Sequence, residues 1–501
     1  WRYYSFRLTL KPILSASEAN ANMADIQLPM RQMEARVEAN RCLYCFDAPC
    51  IHACPTGIDV PAFIRKIAGG NEIGAAKTIL EANILGASCA RICPTKVLCE
   101  GACVLHDRDE KPIEIGRLQR HATDFVNDRG IHVLKPPAKM NGRRVAVVGS
   151  GPAGLGCAAE LAQLGYQVTI FEKSKLPGGL NTYGIAYYKL KPQLSLNEAE
   201  LVKDLGVEIR CGVEVGRDIS GEELQRDFDA VFLGLGLGDG NRLGIDGENL
   251  PECLDALNFI EQIHTDPLHE IPVGHQVVVI GGGNTAIDAA TQSVRLGAKQ
   301  VTMVYRRSES QMSAYPFEFE KAKHDSVHFL FDSMPISVIE VDGHVVGIRL
   351  ARTQMTADGK LEMIPGSEFT HECDMILKAV GQEKQAEIMR GIFPKIAIGP
   401  GGVITRDQLS GTTNIPHIFV GGDCANGGRE VVNAVGEGKK AAHGIHAFLA
   451  GERAALPIQP SRLGVDGSAS GCGLHNPIRA HELEAHWKAN RSAKNAGEKR
   501  G

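Results

Sequence analysis

Two stretches of the chain repeat one pattern of apolar and polar positions. In RRVAVVGSGPAGLGCAAELAQLGYQVTIFEK, and again in HQVVVIGGGNTAIDAATQSVRLGAKQVTMVYRR, an apolar, mostly β-branched run meets a glycine-rich turn. A helical apolar period and a second apolar run follow. This spacing predicts a strand, a tight turn, a helix and a parallel strand each time, and the pair forms an internal repeat. Residues 30–135 have a different rhythm: MRQMEARVEANRC, PAFIRKIAGG and IGRLQRHATDFVND read as helices set among cysteines. The polar, proline-containing stretch from Gly130 to Gly142 reads as a linker.

The expected fold is therefore α/β, with a helical cysteine-rich domain followed by two Rossmann-like, doubly wound nucleotide-binding domains, one inserted in the other. The expected boundaries are 30–135 for the helical domain, 140–265 with 385–451 for the first nucleotide domain, and 266–384 for the second. Residues 1–29 are expected to be a disordered extension. Arg2, Arg7 and Lys11 precede any acid, as in an organelle transit segment, but Met23 opens an ordinary-looking terminus, so residues 1–22 read as upstream sequence or a loose arm. Residues 452–501 are rich in Gly, Ser, Ala, Arg and Asn and are expected to be a disordered tail, with a helix near HELEAHWKA.

Composition narrows the function. With 501 residues, 43% hydrophobic and 23% charged positions, a net charge of −5 and 56 glycines, the chain reads as a soluble, cytoplasmic globular protein leaning towards nucleotide-binding loops. Its basic residues fall in short pairs such as Arg143-Arg144 and Arg306-Arg307, which cannot track a phosphate backbone, so no nucleic acid is expected. No apolar run reaches membrane-spanning length.

In the first repeat, Gly149, Gly151 and Gly154 form GxGxxG directly after a strand. With Ser150, Pro152 and Ala153 they bring backbone N–H groups against a pyrophosphate at a helix N-terminus. Glu172 ends the second strand, where a carboxylate accepts ribose hydroxyls. Gly422 and Asp423, after the strand IFVGG, suit the ribityl or phosphate region of a flavin, which makes the first site an FAD site. The second repeat has Gly281, Gly283 and Ala286, but its second strand runs into Arg306 and Arg307. Guanidinium groups there suit a 2′-phosphate and so favour NADPH over NADH.

Eight of the 14 cysteines lie between Cys42 and Cys103, in Cys42-x2-Cys45-x4-Cys50-x3-Cys54-Pro55, Cys89-x3-Cys93-Pro94, Cys99 and Cys103. That concentration argues for metal in a reducing compartment, and the Cys-Pro endings suit iron-sulfur clusters. Zinc is the alternative. Spacing alone assigns all eight thiolates, four to a cluster, without pairing them. Cys157, Cys211, Cys253, Cys373 and Cys424 lack partners at redox spacing and read as small buried hydrophobes.

Over residues 35–450 the sequence resembles the glutamate synthase small-subunit superfamily. Within it the resemblance is strongest to the electron-input part of dihydropyrimidine dehydrogenases, particularly the NAD(P)H-oxidising subunit of the bacterial enzymes. It rests on RCLYCFDAPCIHACPTGIDVPAFIRKI, LGASCARICPTKVLCEGAC, PIEIGRLQR and GGLNTYGIAYYKLK. The resemblance implies two [4Fe-4S] clusters, one held by Cys42, Cys45, Cys50 and Cys103, the other by Cys54, Cys93, Cys99 and Gln119, with Cys89 left out. It also implies FAD contacts from Glu172 through Gly179 to Leu180 and at Lys189, and NAD(P)H contacts at Gly282, Gly283, Asn284, Thr285, Arg306, Arg307, Ala379 and Gly381. Where the animal enzymes place a further basic residue, this chain has Ser313. Glutamate synthase small subunits tend to carry a carboxylate near position 119, so Gln119 favours the pyrimidine branch.

By this resemblance NAD(P)H reduces the flavin, and electrons leave through the clusters. No side-chain acid or base is required, so no catalytic residue is named. No stretch of about 250 residues is left over for an FMN-binding barrel. A catalytic FMN and iron-sulfur subunit is therefore the implied partner, in a hetero-oligomer that interconverts uracil or thymine and the 5,6-dihydropyrimidine. A glutamate synthase small subunit is the second reading. A zinc-bound docking module on a degenerate flavoprotein is the third. A disulfide reductase would need a CxxC in the second nucleotide domain, and the sequence has none there.

Overall fold

In a computed structural model, residues 10–451 are described. Residues 1–9 and 452–501, with Cys472 and the helix expected near HELEAHWKA, lie outside the described residues.

Two parallel five-stranded sheets carry the two sequence repeats. The first orders its strands Ile418–Val420, Ala230–Leu233, Arg144–Val148, Gln167–Glu172 and Glu208–Cys211. Its strands alternate with helices that cover both faces, which explains why the Arg144–Val148 run is buried beyond its first residue. The second orders Cys253–Asp255, Met375–Lys378, Gln276–Ile280, Gln300–Val304 and His328–Leu330. A separate antiparallel sheet built on Ser333–Val341 and His344–Met355 interrupts the second unit and packs its apolar face, including Ile348 and Leu350, against Val278 and Ile376.

The second unit starts earlier than the boundary expected at residue 266. Cys253–Asp255 pairs with Met375–Lys378, and the helix Ala256–Thr265 buries Phe259 and Ile263 in the second core. The sequence hid this because a three-residue edge strand carries no periodicity.

The N-terminal extension also departs from expectation. Residues 10–29 are not a loose arm: Ser15 caps a helix, Ala16–Asn22, in a capping box with Glu18. Ala19 and Met23 are buried in the second core. Asn22 and Arg295 exchange two bonds, the Asn22 amide to the Arg295 carbonyl at 3.0 Å and the guanidinium to the Asn22 carbonyl at 2.9 Å.

The cysteine-rich domain is helical, with Gln32–Asn40, Val60–Ala68, Glu72–Ala82, Gly86–Ile92 and Ile115–Asn127 packed around Phe63, Ile64, Ile79 and Leu118. It does not stand apart, because Ile84 and Leu85 are buried in the core of the first nucleotide unit.

His264 joins the two nucleotide units. Its Nε2 donates to the Ile185 carbonyl, and its Nδ1 is buried without a partner. Burial holds its pKa down at about 4. A histidine kept neutral in the fold must charge on unfolding in acid. Stability is therefore unaffected above about pH 6.5 and falls as the pH drops from there towards about 4, by up to about 3 kcal/mol. Chemical denaturation of His264→Asn beside the parent over that range should show a shallower loss; parallel curves would exclude this residue as the source.

Candidate functional site

Glycines shape the first nucleotide site. Gly149 has φ +94°, and a Cβ there would meet the Gly234 carbonyl at 2.5 Å; one on Gly154 would lie 1.9 Å from the Gly149 carbonyl. These two close the turn. Gly151 differs, since a Cβ there meets nothing within 4 Å. Its missing side chain leaves open space at the N-terminus of the helix Pro152–Gln163, where a pyrophosphate would approach the backbone. The Ser150 amide and hydroxyl donate to Glu172 Oε2 at 2.8 and 2.6 Å, and Ser174 N donates to Oε1 at 2.8 Å, so the acid at the strand end also holds the turn. Gly179 abuts Gly151, and Gly422, at φ +74°, abuts Ala153. The GGD turn and the loop ending at Leu180 thus converge on the same helix terminus. Asp423 Oδ1 accepts from Arg429 N at 3.1 Å, and burial raises its pKa. These features fit a dinucleotide with a flavin.

Lys189 lies elsewhere. Its Nζ is buried between Asp288 and Glu318 of the second unit, at 2.7 Å from each, and these acids hold it strongly protonated against its burial. The structure gives it partners in the nicotinamide-side unit and none in the glycine cradle.

The second repeat lines a cavity of about 710 Å³ with Gly281 to Gly283, Thr285, Tyr305, Arg306, Arg307, Ser313, Ala379 and Gly381. Asn284 stands at the start of the following helix, its Oδ1 accepting from Tyr315 N at 3.1 Å. Arg306 and Arg307 are exposed, and among the described residues neither forms an ion pair. Ser313 takes no charge to the site; its amide and hydroxyl donate to the Gly282 carbonyl at 3.1 and 3.2 Å and brace the turn. Sequence reasoning missed Asn241, Asp255, Lys378 and Gln382, which also line the cavity. The signal for Asn241 was the run GLGLGDGNRLG after the strand Ala230–Leu233; the other three carried none.

The cysteines fall into two neighbourhoods. Burial raises the Cys42 thiol, with Cys45 and Cys103 adding to the effect. Burial pushes Cys50 up to about 12, and the nearby Cys42, Cys103 and Cys45 add to the effect. Cys93 is raised by its hydrogen bond with Cys89, then by burial, with Cys54 and Cys99 close by. Cys99 is raised by burial, then by Glu100 and Cys54, with a smaller effect from Cys50. Crowded thiols of this kind resist ionisation until a cation sits among them. Among the described residues no three His, Cys, Asp or Glu side chains close to single-ion spacing. Thiolates gathered in this number are the donors that the soft iron of a 4Fe-4S cluster takes.

Gln119 is buried, and its Nε2 donates to the Gly86 carbonyl at 2.7 Å, which leaves Oε1 as the side chain's acceptor atom. Cys89 is buried and receives a bond from Asn83 Nδ2 at 3.2 Å. Of the remaining cysteines, Cys157, Cys253, Cys373 and Cys424 are buried; Cys211 departs from expectation, being only partly buried at the end of an edge strand.

The helix Val431–Ala450 joins the two sites. A methyl group at Gly436 would meet the Pro55 carbonyl at 2.7 Å, and Lys439 Nζ donates to the Ala82 carbonyl at 2.6 Å. At its start, Glu430 accepts from the Tyr315 hydroxyl at 2.7 Å. The neighbourhood of Cys54, Cys93 and Cys99 therefore faces the flavin-side unit. Cys42 and Cys45 are flanked by the exposed Leu43 and Phe46.

Comparison with known proteins finds two family matches along the chain. Residues 19–131 match the family described as dihydropyrimidine dehydrogenase domain II, 4Fe-4S cluster, and residues 143–438 match pyridine nucleotide-disulphide oxidoreductase. The chain is 36% identical to the NAD-dependent dihydropyrimidine dehydrogenase subunit PreT of Escherichia coli, over 83% of this chain and 94% of that one. It is 33% identical to the glutamate synthase [NADPH] small chain of the same organism, over 85% and 93%. The fold is also that of the oxidoreductase FprA of Mycobacterium tuberculosis, with a TM-score of 0.51 at 20% identity over 62% of this chain and 85% of that one. Among the described residues no helix is long and apolar enough to cross a membrane.

Proposed function

We propose that this chain, which belongs to the pyridine nucleotide-disulphide oxidoreductase family and is an NAD(P)H-dependent flavin oxidoreductase with a 4Fe-4S domain, is the electron-input subunit of a dihydropyrimidine dehydrogenase. When bound, the flavin takes an electron pair as hydride from the nicotinamide and the clusters pass electrons singly. The observation that carries the pyrimidine reading is Gln119, buried with its amide nitrogen committed to Gly86 and its oxygen left to ligate.

In this reading Cys54, Cys93, Cys99 and Gln119 hold the cluster facing the flavin, and Cys42, Cys45, Cys50 and Cys103 hold the outer one. Gly149 to Ala153, Glu172, Gly179, Leu180, Gly422 and Asp423 hold FAD. Gly282 to Thr285, Arg306, Arg307, Ala379 and Gly381 hold the nicotinamide nucleotide. Lys189 acts at one remove, tying the flavin-side loop to Asp288 and Glu318. The exposed Leu43 and Phe46 suit the exit side, where a partner with its own redox centre would dock and reduce uracil or thymine.

The test is to co-purify the chain with its partner and assay the pair. Dihydrouracil should form from uracil and NAD(P)H, and glutamate should not form from glutamine and 2-oxoglutarate. Uracil reduction by this chain alone would overturn the division of labour, and glutamate formation would establish the glutamate synthase reading.

Arg306 and Arg307 set a second expectation. Both are exposed, so Ala at both positions should leave folding intact. The KM for NADPH should rise about tenfold or more, equivalent to about 1.4 kcal/mol, while that for NADH changes little. Equal losses for both nucleotides would show that the pair contacts a part the two share.

A further inference from the structure

Glu198 is a buried carboxylate that none of the steps above uses. It sits 1% exposed on the helix Pro192–Asp204 of the flavin-side unit, whose Ala199 and Val202 belong to that unit's core. Its partners belong to the other domain. Oε1 accepts from Ala87 N and Ser88 N, both at 2.9 Å, and Oε2 accepts from the Ser88 hydroxyl. Three donors from one short helix on one carboxylate fix that helix in position and rotation.

That helix, Gly86–Ile92, is bounded by the chemistry of one cluster. Its first residue, Gly86, offers the carbonyl that holds Gln119 Nε2 at 2.7 Å. Its C-cap is Cys93, whose N–H donates to the Cys89 carbonyl at 3.1 Å. Asn83 braces the entry, accepting from Leu85 N at 3.0 Å and donating to Cys89 Sγ. A shift of the Glu198 contact would therefore move Cys93 and the Gln119 anchor together.

We propose that Glu198 is a positioning residue for electron transfer, docking the helix between Gly86 and Cys93 onto the flavin-side unit and placing a carboxylate beside the cluster that Cys54, Cys93, Cys99 and Gln119 hold. The proposal rests on the ligand assignment given above. A negative charge held out of water near a cluster disfavours adding an electron to it, so the ionised carboxylate keeps the cluster's potential low. Burial pushes the Glu198 pKa up to about 7, against the three hydrogen bonds and Arg91.

The neighbouring charges are few. Arg91 on the cluster helix is paired with Asp124 at 2.6 Å. The elements packed on the Glu198 helix add Cys89, Tyr183, Cys157 and Glu160, the last held by His443 at 2.9 Å and Lys439 at 3.7 Å. The helix's own Glu200, Lys203 and Asp204 are exposed, Asp204 lying 2.6 Å from His132.

The test is redox titration of each cluster, followed by electron paramagnetic resonance, in the full chain carrying its cofactors. In the parent the potential of the inner cluster should fall as pH rises through about 7, because the ionised form opposes reduction. In Glu198→Gln the potential should be higher and flat with pH, the outer cluster should be unchanged, and iron and flavin contents should be full. Glu198→Asp should restore the pH dependence. A Gln variant with the parent's potential and slope would overturn the proposal, as would equal shifts in both clusters. If Glu198→Gln does not fold, a parent whose inner cluster shows no slope overturns it alone. Failure of the ligand assignment would show differently, as a Gln119→Leu protein with both clusters unaltered.

Discussion

Gln119→Leu should yield a folded flavoprotein with about half the parent's iron and acid-labile sulfide, because one of two cubanes loses a ligand. Its amide oxygen is the only protein oxygen in the proposed ligand set, and leucine offers no donor atom. The amide nitrogen's bond to the Gly86 carbonyl is lost as well, so the helix Gly86–Ile92 loses an anchor just where Cys93 must be presented. Cys89→Ala is the matching control. That thiol is buried within the same helix and already receives Asn83 Nδ2, and its removal should leave both clusters in place. The cost should be about 1–3 kcal/mol of stability, from a small cavity and from the buried Asn83 Nδ2 left without its acceptor. Iron analysis and electron paramagnetic resonance of the two variants decide the matter. Loss of a cluster from the Cys89 variant with none lost from the Gln119 variant would hand the ligand role to the thiol.

Gly151→Ala should remove the flavin while leaving the fold. The site accepts a methyl group on two counts: the backbone is extended there, at φ −66° and ψ 179°, and a Cβ meets no atom within 4 Å. Stability should stay within about 0.5 kcal/mol of the parent apoprotein. The open space is where the pyrophosphate must approach the backbone N–H groups, so the same methyl group should weaken FAD at least about 100-fold, about 2.7 kcal/mol. Flavin absorbance of the purified variant, read beside a thermal melt of both apoproteins, measures the two effects separately. Gly154→Ala should behave differently, because its Cβ would collide with the Gly149 carbonyl and prevent the turn itself. Full flavin occupancy in Gly151→Ala would mean the dinucleotide lies elsewhere.

The parts of this molecule that were legible in the sequence are those with strong local grammar. A strand, a glycine turn and a helix announce themselves within about thirty residues, and the thiol spacing between Cys42 and Cys103. What stayed hidden is long-range or marginal. Cys253–Asp255 is too short to show a period, and only its pairing with Met375–Lys378 assigns it to the second unit. The helix Ala16–Asn22 gains its place from burial of Ala19 and Met23 against a distant core, which the local capping signal of Ser15 and Glu18 does not reveal. The resemblance places Lys189 at the flavin, whereas its two carboxylates come from residues 99 and 129 places away. Gln119 needed family knowledge, since a glutamine on an amphipathic helix carries no chemical signal of its own.

The helix Val431–Ala450 has a kinetic consequence. One end of it closes the flavin cradle, and its second and third turns bear on Pro55 and Ala82 of the cluster domain. Between these points Gly438 lets it lie backbone to backbone on the helix Pro152–Gln163, since a Cβ there would come within 2.1 Å of the Ala153 carbonyl. A single helix therefore sets the spacing between the glycine cradle and the cluster domain, through contacts that all fall between Glu430 and Lys439. Under the proposed assignment of cofactors, the distance an electron crosses from flavin to cluster is set by how this one helix is seated.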